Sequence, residues 1–253
     1  MNIMKLTPRN GNDGWLTEEI ACGGSKMGGF KVFAFVGLLV MLVAANPIRA
    51  QAAASLTLYD GVNPLITVVD NGPGDLIGVT GAILLQTNVG VWNLAISTAV
   101  TKPLMGSTTD PVMDLDITAV SSAAGSLRLV FSDNGFGPAT GILRAIVTGH
   151  IASGGPGSVT YDVYGDPANV IGATTVHIAS AGTTPFPTSA SGAGPLLLPT
   201  PFSLTQVETL VASGPTTINT DASFSVVPEP TSIALTGLGL TVCLLRRFHR
   251  NRK

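Results

Sequence analysis

The sequence predicts an all-β fold: a β-sandwich of about ten or eleven short strands, set between an N-terminal signal peptide and a single short C-terminal transmembrane helix. Three observations lead there. From residue 53 to 227, apolar and polar residues alternate at period two, and no stretch sustains the 3.6-residue period of an amphipathic helix. Clusters of Gly, Pro, Asp and Asn interrupt those runs every 10–20 residues, the rhythm of strands joined by turns. Long uninterrupted apolar sequence occurs only near the two ends.

Within 53–227 four runs are clearest. Alternation groups Leu115, Ile117 and Ala119 on one face, and Leu127, Leu129 and Phe131 on another. It does the same for Val159, Tyr161 and Val163, and for Ala222, Phe224 and Val226. Successive side chains of a pleated strand point to opposite faces, so each group marks a half-buried strand. Further strands are expected at 55–59, 64–69, 78–87, 90–100, 142–152, 173–180 and 202–213. Turn residues gather at Asp70–Asp75, Thr108–Pro111, Asp133–Pro138 and Ser153–Gly157. Residues 181–201, rich in Gly, Pro, Thr and Ser, read as a long surface loop. About 175 residues suffice to close a sandwich core without covalent staples. Cys22 and Cys243 both lie outside this body, so it holds neither a disulfide nor a thiolate metal site.

The 253 residues are 45% hydrophobic and only 11% charged, under half the usual charged fraction. The net charge of −2 is unevenly distributed. Residues 1–52 carry Lys5, Arg9, Lys26, Lys31 and Arg49 against Asp13, Glu18 and Glu19, a net +2. The body sets Lys102, Arg128 and Arg144 against ten Asp and Glu208, a net −8. Residues 228–253 set Glu229 against Arg246, Arg247, Arg250, Arg252 and Lys253, a net +4. An acidic body repels phosphate backbones, so no nucleic-acid partner is expected. The mean hydropathy of +0.44 would suit a membrane protein, but the two ends supply much of it.

At the N-terminal end, Lys26 and Lys31 precede 14 apolar residues from Val32 to Ala45, followed by Ala50-Gln51-Ala52. A basic n-region, a short h-region and a small-x-small site are the layout of a secretory signal peptide. Residues 1–52 are therefore expected to be an extension plus signal peptide, with translation starting at Met27, cleavage after Ala52 and export through the Sec machinery. At the other end, Pro228 and Pro230 favour extended backbone, and Thr231 can cap a helix running to Leu245. At about 15 residues that helix is short for a bilayer, but Arg246 and Arg247 can snorkel and lengthen its reach. The cations Arg246, Arg247, Arg250, Arg252 and Lys253 favour a cytoplasmic C-terminus.

Residues 228–253 resemble the PEP-CTERM sorting signal of Gram-negative bacteria. Pro228, Glu229 and Pro230 match its motif, Ile233 to Leu245 its helix, and Arg246 to Lys253 its basic tail. The body is similar to ectodomains that precede such tails at Leu56 to Gly61, Val91 to Asn93, Met113 to Leu115 and Phe131 to Phe136. The resemblance implies an exosortase-type enzyme as partner, a transient stay in the inner membrane, delivery to the cell surface or matrix, and company with exopolysaccharide. It implies no activity for the body.

The chemistry-bearing residues of the body are sparse. A nucleophilic triad needs a histidine beside its nucleophile; only His150 and His177 are available, with no Gly-x-Ser-x-Gly elbow. Two isolated histidines without cysteine make a poor zinc site. Gly135 to Gly141 has the wrong spacing for a dinucleotide loop and contains Pro138. Acidic groups at Asp70/Asp75, Asp110/Asp114/Asp116 and Asp133/Asn134 suit Asx turns; Asp110, Asp114 and Asp116 are also weak Ca²⁺ candidates. That segment lacks the glycine and terminal Glu of the twelve-residue Ca²⁺ loop. Nine aromatics occur in the body: Trp92 reads as a core anchor, while Phe136 and Phe186 read as the exposed candidates for stacking on sugar. The expectation is a cofactor-free, non-enzymatic exported protein, structural or adhesive. The alternatives are a glycan- or Ca²⁺-binding module and a secreted hydrolase.

Overall fold

The computed structural model describes residues 54–227. The signal-like segment, the Pro228–Glu229–Pro230 motif and the basic tail lie outside the described residues. Among the described residues no helix is long and apolar enough to cross a membrane.

Two antiparallel six-stranded sheets face each other. The first runs in the order β2 (Ile66–Val69), β1 (Ser55–Tyr59), β6 (Gly125–Phe136), β11 (Phe202–Ala212), β8 (Gly157–Asp166), β9 (Val176–Pro185). The second runs β10 (Thr188–Leu196), β7 (Gly141–Gly154), β12 (Thr216–Val227), β5 (Val112–Ser121), β4 (Trp92–Val100), β3 (Ala82–Val89). The expected sandwich is present, with twelve strands. Its core is the sum of the alternating faces. Leu115, Ile117 and Ala119 on β5 and Ala222, Phe224 and Val226 on β12 are buried in the second sheet. Leu127, Leu129 and Phe131 on β6 and Val159, Tyr161 and Val163 on β8 are buried in the first. Trp92 is 1% exposed and anchors this core at the start of β4.

Two segments differ from the sequence expectation. Residues 181–201 are not a loop: β9 continues to Pro185, and β10 occupies Thr188–Leu196 as an edge strand of the second sheet, paired with β7 from Thr188↔Gly149 to Leu196↔Gly141. The reason for its small residues is close backbone approach. A Cβ on Gly192 would overlap the Ser180 carbonyl oxygen, and one on Gly194 would overlap that of Ile178. Strand β10 therefore lies directly on β9, and the two sheets meet along one side. The β8–β9 pairing shifts register at Tyr161/Asp162 and Val163/Tyr164, irregularities that go with local bending of a strand. Glycine serves here because only a strand without side chains can approach another backbone so closely.

The second difference is Asp133–Phe136, read as a turn for its Asp-Asn-Gly composition but extending β6 to Phe136. Long-range contacts hold it extended. Lys102 Nζ lies 2.6 Å from Asp133 Oδ2 and donates to the Asn134 carbonyl at 2.6 Å. Thr101 Oγ1 donates to the same carboxylate at 2.9 Å. The ammonium also sits 4.1 Å from the centroid of the Phe136 ring. Burial pushes the Asp133 carboxyl up from its ordinary range, against the downward pull of Lys102 and its hydrogen bonds.

Candidate functional site

Of the acidic residues singled out from the sequence, Asp70 and Asp75 hold turns, and Asp60, not singled out, does the same. Asp70 Oδ2 accepts from the Gly81 amide at 2.8 Å. Asp75 accepts from the amides of Asn71, Ile77 and Leu84 at 2.9–3.0 Å. Asp60 accepts from the Val62 and Asn63 amides, which hold its carboxyl below the usual range. Their oxygens are thus occupied by backbone donors.

The unpaired carboxylates collect on the outer face of the second sheet, because alternation that buries Leu115 and Ile117 must expose Asp114 and Asp116. On the neighbouring strand Asp221 stands directly opposite Asp116 and diagonal to Asp114, which itself faces Ser223. Asp110 precedes β5 in the loop, where its amide is held by Ser107 Oγ at 3.0 Å. Among the described residues no group of three His, Cys, Asp or Glu side chains is placed to hold a metal ion. Burial, then the Asp221 charge and a hydrogen bond to Asp221, then Asp116, push the Asp114 carboxyl up to about 6. Asp116 is raised as well, first by burial and then by Asp221.

Beside these acids lies a shallow depression of about 420 Å³, bordered by Asp116, Asp221, Asn219, His150, Thr148 and Thr188. The Asn219 amide nitrogen is 3.3 Å from His150 Nε2. Strand pairing brings these groups together: Asn219 is registered with His150, and Asp221 with Thr148. With Gly149 and Thr220 completing the lining, these hydrogen-bonding side chains could meet a polyhydroxylated or cationic surface ligand. His177 is on the other sheet, with Nε2 3.3 Å from Asp162 Oδ1 and its ring edge-on to Tyr164 at 5.1 Å. The two histidines therefore stand on different sheets.

The aromatic candidates need correction. Phe136 is fully buried and stacked on Phe202 at 6.1 Å, because β6 carries it into the core. Phe186 is partly buried against the core, with its ring packed where a side chain on Gly149 would stand. Neither offers an exposed platform.

Sequence reasoning passed over the interior of β11. Its alternation places Phe202, Leu204, Gln206, Glu208, Leu210 and Ala212 on the core face, and every one is buried. Gln206 Oε1 accepts from the Tyr161 hydroxyl at 2.7 Å. Both Glu208 carboxyl oxygens, Gln206 Nε2 and Thr220 Oγ1 are buried without a hydrogen-bond partner. Two polar residues at i and i+2 in an otherwise apolar period-two set were the available signal.

Asp221→Asn tests the like-charge cluster. Asp114 has a folded pKa of about 6, against 3.8 for an unperturbed aspartate. The native state therefore holds its proton longer, and stability falls as pH rises from about 4 to 6. The substitution should shrink that fall and stabilise the domain by about 0.2–1 kcal/mol above pH 6. Urea unfolding across that range measures it.

No family model and no curated protein matches the chain. Among solved structures, a carbohydrate-binding module that recognises mannan overlaps 58% of this chain and 99% of its own, at 10% identity and a TM-score of 0.24. An isomalto-dextranase from Arthrobacter globiformis overlaps 70% of this chain and 30% of its own, at 15% identity and a TM-score of 0.18. Overlaps this loose carry no argument about ligand or activity.

Proposed function

We propose that this chain is an exported cell-surface or extracellular-matrix protein, non-enzymatic, whose β-sandwich acts structurally or adhesively. An exosortase-type enzyme would sort it through Pro228, Glu229 and Pro230 after Sec export, with Arg246 to Lys253 holding it transiently in the inner membrane. The observation that carries the reading is the order of three sequence elements: Val-Pro-Glu-Pro, a short apolar run, and an Arg-rich end. The carboxylates of Asp114, Asp116 and Asp221 on the outer face of the second sheet suit a body that works among hydrated exopolysaccharide.

Mass spectrometry of protein released from cells of a host with the sorting enzyme tests the proposal. The expected C-terminus is truncated and lacks Arg246 to Lys253. An intact basic end on the released protein overturns it. Replacing Glu229 by alanine should leave the protein in the membrane fraction.

A second reading, a glycan-binding module, is favoured by the depression beside Asp221. Its donors and acceptors would hold sugar hydroxyls by hydrogen bonds, without ring stacking. Asp221→Ala with Asn219→Ala should then abolish retention on an exopolysaccharide column while leaving the fold unchanged.

A further inference from the structure

We propose that Glu208 is a proton-holding core residue: the sandwich closes over the neutral carboxylic acid, so that its stability is set by pH through the neutral range. Strand β11 is interior to the first sheet, between β6 and β8, and Glu208 points from its middle into the core at 0% exposure. Neither carboxyl oxygen has a hydrogen-bond partner. An ionised carboxylate in that position would have neither water nor a cation, and charges so placed neutralise instead.

The surroundings on every side agree. From β6 the residue opposite Glu208 is Leu129, which carries no charge. From β8 it is Tyr161, whose hydroxyl is committed to Gln206 and is itself held well above its ordinary range by burial and then by the Glu208 charge. Across the core, β12 presents Thr220, whose hydroxyl draws the acid down, second only to burial in effect, but falls short of hydrogen-bond geometry. Through the second sheet, Asp221 of β12 and Asp116 of β5 add negative charge and raise it. The groups acting on Glu208 thus include no cation. Burial dominates and pushes the carboxyl up to about 8, from an ordinary 4.5.

The sign follows from proton counting. Between those two values the native state keeps a proton that the unfolded chain has released. The contribution of Glu208 to stability is full below about pH 4.5, declines as pH rises, and levels off above about 8. Through Glu208, folding at neutral pH is coupled to uptake of one proton, and raising the pH through that window weakens the domain. The window extends past that of Asp114, which closes near pH 6.

The test is urea unfolding of the full chain and its Glu208→Gln variant from pH 5 to 9. For the wild type the unfolding equilibrium constant should rise by up to tenfold per pH unit between about 6 and 8, and the variant should lack that rise. An equal slope in both overturns the proposal. Should the variant fail to fold, side-chain ¹³C NMR of glutamate-labelled wild type decides. One of the four glutamates, Glu18, Glu19, Glu208 and Glu229, should titrate far later than the others. Four midpoints near the ordinary ~4.3 overturn it.

Discussion

Gly192→Ala will force apart the side of the sandwich where β9 and β10 meet. The added Cβ has no rotamer to escape into, and it would overlap the carbonyl oxygen of Ser180. The obstacle is backbone, so relief requires a strand to move, and β10 is tied to β7 through nine registered pairs. We expect a loss of about 3 kcal/mol or more, at the upper end of the cost of overpacking. Gly194→Ala should act in the same way through the carbonyl of Ile178. Gly214→Ala is the control, because nothing stands within 4 Å of the Cβ it would gain. Urea unfolding of the three variants separates the effect of close packing from that of glycine replacement in general. Gly192 and Gly214 variants of equal stability would refute the packing account.

Lys102→Met should be comparably damaging, for an electrostatic reason. Asp133 is 2% exposed in its side chain, and Lys102 is its ion-pair partner at 2.6 Å. Removing the ammonium leaves the carboxyl buried with Thr101 and Asn134 as its remaining donors. Breaking a buried pair from one side typically costs about 3–5 kcal/mol. The carbonyl of Asn134 loses its donor as well, and the Phe136 ring loses its cation. The double variant Lys102→Met with Asp133→Asn should recover most of the loss, because it removes the charge rather than stranding it. A double variant as unstable as the single one would show that packing of the lysine stem, not the ion pair, is what matters.

The strands that could be read in advance are those whose two faces meet different media. Asp114-Leu-Asp-Ile-Thr-Ala has water on one side and Phe224's neighbourhood on the other, so polarity alone locates it. Strand β10 could not be read that way. Its composition, Thr-Ser-Ala-Ser-Gly-Ala-Gly-Pro-Leu, answers to the proximity of another backbone, and nothing local announces that neighbour. Asp133 misleads for a related reason: Asp-Asn-Gly favours a turn in isolation, but a lysine 31 residues earlier in the chain holds it in a strand. On the candidate site, alternation located Asp114 and Asp116 correctly on one face, but not Asp221 opposite them. Pairing between β5 and β12 decides that, and register is a property of the sheet. Glu208 went unread, although a carboxyl in an apolar period-two set was there to be seen; its isolation became apparent only with Leu129, Tyr161 and Thr220 around it.

The position of β12 bears on how the domain carries mechanical load. It is an interior strand, laddered on one side to β5 and on the other to β7, and it runs to Val227, the last described residue. A pull transmitted through the chain beyond Val227 enters along the axis of this strand. The hydrogen bonds of both ladders then share the force in shear, instead of parting one after another as they would for a strand peeled from an edge. A sandwich tethered through this strand resists traction better than one tethered through β2, with its four residues and single neighbour.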